Sequence, residues 1–175
     1  IDHISPDYGR YIMASPFVIL ATSGPEGLDC SPRGDPAGFV RIHDPKTLMI
    51  PDRRGNNRID SLRNIVHDPR VALLFLIPGS GTTMRVNGSA SLSTNPDFCA
   101  SFAIDGKAPK CVIIIQVDRA YTQCKKALVR SKLWDTGVAD RTLPSIGTMM
   151  QNLDAGFDGK AYDAEYPDRM SKTIY

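Results

Sequence analysis

The chain has 175 residues, 42% of them hydrophobic, enough for one sizeable core and short for two, so a single domain over residues 1–175 is expected. A formal charge of +2 and a pI near 8.4 exclude the whole-chain field that draws a protein to nucleic acid or an acidic membrane, so any anion site must be local. Cys30, Cys99, Cys111 and Cys124 are too scattered for a zinc knot or a disulfide framework, and a reduced, cytoplasmic protein without a metal is expected.

The opening IDHISP lacks the basic and apolar regions of a signal peptide, and the missing initiator Met leads us to expect further N-terminal residues. FVILAT, residues 17–22, is a β-branched and aromatic run, and SGPEG after it is turn chemistry leading into LDCSPRG. These predict the first two strands as a hairpin. GFVRI after the Asp35-Pro36 break and LMIP at residues 48–51 predict two more strands. From Arg58 the period changes: Ile59, Leu62, Ile65 and Val66 recur at helical spacing, with Asn56 or Asn57 as the expected N-cap. HDPR stops that helix. VALLFLI, residues 71–77, reads as a strand buried on both faces and is far too short to cross a membrane as a helix. In TMRVNGSASLS, apolar and polar residues alternate straight through Asn87-Gly88, which predicts one long strand with a bulge at Gly88. A short helix at 97–103, a strand at 111–117 and a helix in CKKALVRSKLW follow. From about Asp135 the chain is rich in Gly and Pro with little periodicity, and residues 135–175 are expected to wrap over a surface already formed. The strands lack regular βαβ alternation, so the fold class is mainly β: an antiparallel barrel with a few short helices.

Several motifs fail on context. Gly79 and Gly81 begin a G-x-G, but Met84 replaces the third glycine and a strand follows. Arg33-Gly34-Asp35 and the sequon Asn87-Gly88-Ser89 have no other sign of export beside them, no G-x-S-x-G elbow exists, and His3, His43 and His67 stand apart from metal-type ligands.

One cluster survives. PDRRGNNR carries Arg53, Arg54 and Arg58 at the end of an apolar run and next to a predicted helix N-terminus, where guanidinium forks, free amides and the helix dipole all suit a phosphate. The same arginines would also serve as a solvated surface. A second basic segment, residues 119–132, holds Arg119, Lys125, Lys126, Arg130 and Lys132 with no acid. Helical spacing would set Lys126, Arg130 and Trp134 on one face, two cations beside an aromatic plate. A phosphate joined to a flat heteroaromatic ring would satisfy both segments.

FVILATSGPEG, DCSPRGDPAGFVRI, LMIPDRRGNNRIDSLRNI, HDPRVALLFLIPG, TMRVNGSASL and CKKALVRSKLW together resemble the FMN-binding proteins related to pyridoxamine 5′-phosphate oxidase, most of all the flavin-nucleotide-binding branch. The resemblance covers about residues 15–150. It implies a split β-barrel, a homodimer and FMN at the subunit interface. By resemblance, Ser31 and Arg33 with Arg53, Arg54, Asn57 and Arg58 hold the FMN phosphate, and Pro51 and Asp52 pass the isoalloxazine edge. Thr83 and Arg85 line the ring's other side, and Lys126, Arg130 and Trp134 are the candidates for the partner subunit's contribution. Two departures separate the chain from the oxidases proper: the R-x-x-L-L-K pattern of the second strand is replaced by PRGDPAGF, and the C-terminal Arg and His that hold pyridoxal phosphate have no counterpart.

The expected function is an FMN-dependent oxidoreductase of unknown substrate, since FMN itself carries the electrons and no residue stands out as a general acid or base. A flavin-binding or storage protein without turnover is the alternative. A barrel for single-stranded nucleic acid is disfavoured by an aromatic content of 7%. Dimerisation is expected also from LPSIGTMM, which offers Leu143, Ile146, Met149 and Met150 without an evident slot within the chain.

Overall fold

The computed structural model describes residues 1–55, 58–135 and 143–175. Ile1–Arg53 with Asn57–Trp134 forms one compact unit, and Arg54–Asn56 with Asp135–Tyr175 a second.

The first unit is a seven-stranded antiparallel sheet in the order β2-β1-β5-β6-β7-β4-β3. Its strands are β1 (Phe17–Gly24), β2 (Gly27–Gly34), β3 (Arg41–Asp44), β4 (Thr47–Pro51), β5 (Arg70–Leu76), β6 (Thr83–Ser93) and β7 (Val112–Gln123). The mainly β, split-barrel expectation holds, and the sheet stays open, with β2 and β3 as its edges. The inner face buries Val18, Leu20, Leu73, Phe75, Met84, Val86, Ile113 and Ile115 in one cluster. β4 is buried along its whole length because Leu48 and Ile50 enter that cluster while Met49, on the other face, meets Cys99, Phe102 and Val112.

α1 (Pro6–Ala14), which the periodicity above does not reveal, is set by Ser5 at the N-cap and proline at the first helical position; it inserts Ile12 into the core. The expected strand at 38–42 begins only at Arg41, because Gly38 turns at φ +91° and Phe39 and Val40 are spent on the core. α2 (Asp60–His67) starts later than expected, with Ile59 and not Asn56 or Asn57 at its cap position; those two asparagines lie outside the described residues. α3 (Pro96–Ser101) is capped by the Asn95 side chain, which accepts from the N–H groups of Asp97 and Phe98.

β6 is one strand, as its alternation predicts, and its register with β7 slips between Asn87 and Gly88, so that Asn87 faces Arg119 and Gly88 faces Val117. Asp118 is the extra residue. β7 runs on six residues past its expected end. At the slip Gly88 is pressed against Gln116, where a Cβ would come within 2.0 Å of the backbone carbonyl oxygen.

α4 (Lys126–Ser131) is shorter than CKKALVRSKLW predicts, since Lys132 takes the left-handed conformation at φ +51° and ends it. Trp134 is therefore off the helix, and no common face joins it to Lys126 and Arg130.

Asp68 ties α2 to β5. Its carboxylate accepts from the Arg70 N–H at 3.1 Å and from Arg70 Nε at 2.9 Å, and the Arg70 guanidinium, then that backbone N–H, lowers its pKa from 3.8 to about 2. A folded value below the unfolded one means that this contribution is complete above the unfolded range and is lost as pH falls towards 2. In an NMR acid titration the Asp68 carboxyl is expected to turn over near pH 2 in the parent and at a higher pH in Arg70→Ala, still below its ordinary value because the backbone N–H at residue 70 remains.

Among its described residues the second unit contains two helices where low periodicity suggests irregular chain. α5 (Ile146–Leu153) is capped by Ser145, and α6 (Gly159–Thr173) by Asp158. They pack through glycine on glycine, a Cβ on Gly147 meeting the Gly159 carbonyl oxygen at 2.1 Å, while Asp163 accepts from the Gly147 N–H at 2.8 Å. Opposite that contact Ile146, Met149, Met150 and Leu153 form an exposed apolar face.

Candidate functional site

Along β2 the residues alternate between exposed and half-buried, and Ser31, Arg33 and then Asp35 fall on the half-buried side. Arg33 stands opposite Val18 and Ser31 opposite Leu20, both core residues, so their side chains point towards the inside of the curved sheet. β4 delivers the other half: Pro51 is buried and pairs with Val112, and Asp52 extends the ladder by one bond, its N–H donating to the Cys111 carbonyl at 3.0 Å.

Two reciprocal ion pairs join the halves. Arg33 Nη1 donates to Asp52 Oδ1 at 3.0 Å, and Arg53 Nε donates to Asp35 Oδ2 at 2.7 Å. R-x-D from β2 is thus crossed with D-R after β4. Five strand steps separate β2 from β4, which would be about 24 Å in a flat sheet. The contacts therefore require the sheet to roll nearly closed, and the pairs clasp its two sides. The Asp35 carboxylate is fully buried in the clasp, Arg53 is 17% exposed, and Arg33 and Asp52 are 18% and 21% exposed.

Burial raises the pKa of Asp52 against the opposing pull of Arg33. Cys111 beside it is pushed up to about 11, by burial first and the Asp52 charge second, so its thiol stays protonated and unreactive at neutral pH. Arg33 Nε is buried with no hydrogen-bond partner, one of two such side-chain atoms among the described residues; the other is Asn87 Oδ1. A buried guanidinium N–H without an acceptor is a donor that an anion oxygen would satisfy.

The remaining predicted residues divide. Arg58 precedes α2, is 76% exposed and donates to Asp60 at 3.2 Å. Arg54 is exposed and belongs to the second unit, and Asn57 lies outside the described residues. Thr83 and Arg85 stand on the outer face of the sheet, opposite in direction to Met84 and Val86; Arg85 lies 5.0 Å from the centre of the Tyr121 ring. Lys126 and Arg130 are exposed on α4, and the half-buried Trp134 donates from Nε1 to the Ser80 carbonyl at 2.7 Å, a packing role on the turn before β6. Sequence reasoning missed Asp35, whose signal was present in the spacing of PRGD against PDRR.

Residues 5–124 match the family model described as pyridoxamine 5′-phosphate oxidase. The chain belongs to that family. No curated protein matches it. Among solved structures, this family member is similar to tagged HupZ of Group A Streptococcus, with 21% identity, a TM-score of 0.55 and coverage of 69% of this chain and 94% of that one. It is also similar to General Stress Protein 26 of Bacillus anthracis, with 17% identity, a TM-score of 0.50 and coverage of 65% and 88%. These likenesses establish the fold of the family member's first unit. Among the described residues no group of His, Cys, Asp and Glu could hold a metal ion, and no helix is long and apolar enough to cross a membrane.

Proposed function

We propose that this pyridoxamine 5′-phosphate oxidase-family chain is an FMN-binding flavoprotein working as an oxidoreductase, with FMN held at a homodimer interface. The observation that carries the reading is the unpartnered, buried Arg33 Nε in a cluster of guanidinium groups at the junction of β2 and β4. Arg33 offers a phosphate an N–H inside, Ser31 lies on the same strand, and Arg54, Asn57 and Arg58 are further candidates by resemblance. Arg53 contributes charge to the cluster while it anchors Asp35. Pro51 and Asp52 would border the ring, and the protein's part is to bind and orient it and to exclude water.

When bound, FMN supplies hydride or electron transfer. Thr83 and Arg85 point from the other face of the sheet, a division that supports a site completed by a second copy, with Lys126, Arg130 and Trp134 as its further candidates. The exposed apolar face of α5 favours association as well.

Purified protein loaded with FMN is expected to retain a flavin spectrum through desalting and to sediment as a dimer at micromolar concentration. Arg33→Ala should weaken FMN by roughly 1.5–3 kcal/mol, about tenfold to hundredfold, while riboflavin, which has no phosphate, should bind weakly and lose little. Fluorescence titration of both flavins reads this. Equal losses for the two flavins would sink the phosphate assignment.

A further inference from the structure

The clasp places a carboxylate on the guanidinium that the phosphate would use. Arg33 gives one N–H to Asp52 and keeps a second, Nε, buried without an acceptor. An anion taking Nε must therefore share a single guanidinium with Asp52.

Among the described residues Arg33 is the cation bonded to Asp52, so an anion on the same guanidinium raises the cost of the Asp52 charge even where Arg53, Arg54 and Arg58 add positive charge around that anion. Arg33 faces Asp52 from β2. From the chain just before β7 comes Cys111, whose thiol carries no charge at neutral pH, with the Cys99 thiol of α3 behind it. Next along the chain Arg53 is held by Asp35 of the β2 side. Like charges within a few ångströms cannot both stay ionised cheaply, and the proton goes to the group whose surroundings already disfavour its charge. Asp52 is that group, since its half-buried site raises its pKa even with Arg33 in contact.

We propose that an anion binding at Arg33 is coupled to uptake of a proton by Asp52, so that Asp52 sets the pH dependence of this site. The proposal rests on the reading of Arg33 as a phosphate-binding residue. No bond to carbon or phosphorus changes. The carboxylate takes one proton from solvent, and its O–H becomes a donor where it had been an acceptor.

The test is isothermal titration of the full chain with FMN above neutral pH, where the free phosphate is already a dianion, in buffers of different ionisation enthalpy. The parent is expected to take up a fraction of a proton per FMN that grows as the pH is lowered towards neutrality, with the decimal logarithm of the affinity falling by that same fraction per unit of rising pH. Asp52→Asn should abolish the uptake and bind FMN about tenfold more tightly above neutral pH. A difference infrared spectrum of the parent should gain a protonated-carboxyl band on adding FMN, a readout that needs no variant to fold. Riboflavin should produce neither signal. FMN binding to the parent without proton uptake, or uptake that persists in Asp52→Asn, overturns the coupling alone. Absence of any preference for FMN over riboflavin overturns the phosphate reading and the coupling with it.

Discussion

Arg53→Ala is expected to lower the stability of the fold by about 3–5 kcal/mol, because it removes a charge-assisted bond from a carboxylate that stays buried in low dielectric. The Asp35 carboxylate is fully buried, and Arg53 Nε reaches it at 2.7 Å. For a chain of this size the thermal midpoint should fall by roughly 6–20 °C. Arg58→Ala is the comparison: its guanidinium is 76% exposed on Asp60, and its loss should cost less than about 1 kcal/mol. Converting both partners to apolar residues of similar size, Asp35→Leu with Arg53→Met, should recover much of the loss. Thermal unfolding of the four proteins decides the matter. Equal midpoints for Arg53→Ala and Arg58→Ala would mean that the clasp adds nothing to the closing of the sheet.

Gly88→Ala is expected to cost about 3 kcal/mol, at the upper end for a small-to-large change, because the obstacle is backbone and cannot swing aside. The new methyl would stand 2.0 Å from the Gln116 oxygen and 3.0 Å from its carbon, so β6 and β7 must part where their register slips. Gly79→Ala makes a useful contrast: Gly79 has open space around it, and its penalty is only the strain of φ +79°. Chemical denaturation should show the larger loss for Gly88→Ala, and a midpoint equal to the parent's would disprove the close packing of the two strands there.

Much of the first unit was legible because its strands are written in local terms. FVILAT and VALLFLI can hardly be anything but buried strands, and the alternation through Asn87-Gly88 told a bulge from a hairpin. What escaped was written either faintly or at long range. Ser5-Pro6 is a helix-start signal that no apolar periodicity reinforces, and Ile146, Met149, Met150 and Leu153 keep helical spacing within a stretch whose glycines and prolines suggested none. Lys132 stops α4 with a backbone conformation that its residue type does not advertise, which is why Trp134 was placed on a face it does not share. In the candidate site, the basic residues were visible and their pairing was not. Whether Arg33 meets Asp52 depends on how far five strand steps roll, a property of the whole sheet.

The slip in β7 also explains how one strand can serve two environments. Ahead of it the odd-numbered Ile113, Ile115 and Val117 look into the core; beyond it the odd-numbered Arg119, Tyr121 and Gln123 look out, and the even-numbered Ala120 takes the inner place. Asp118 acts as a phase shifter, inverting the parity of everything after it. A strand of strict alternation could not carry Arg119 and Tyr121 at odd positions without burying them. By spending one residue, the chain sets Tyr121 beside Arg85 on the outside while Ala120 keeps the interior continuous, so the chemistry of the outer face can vary without any change in the composition of the core.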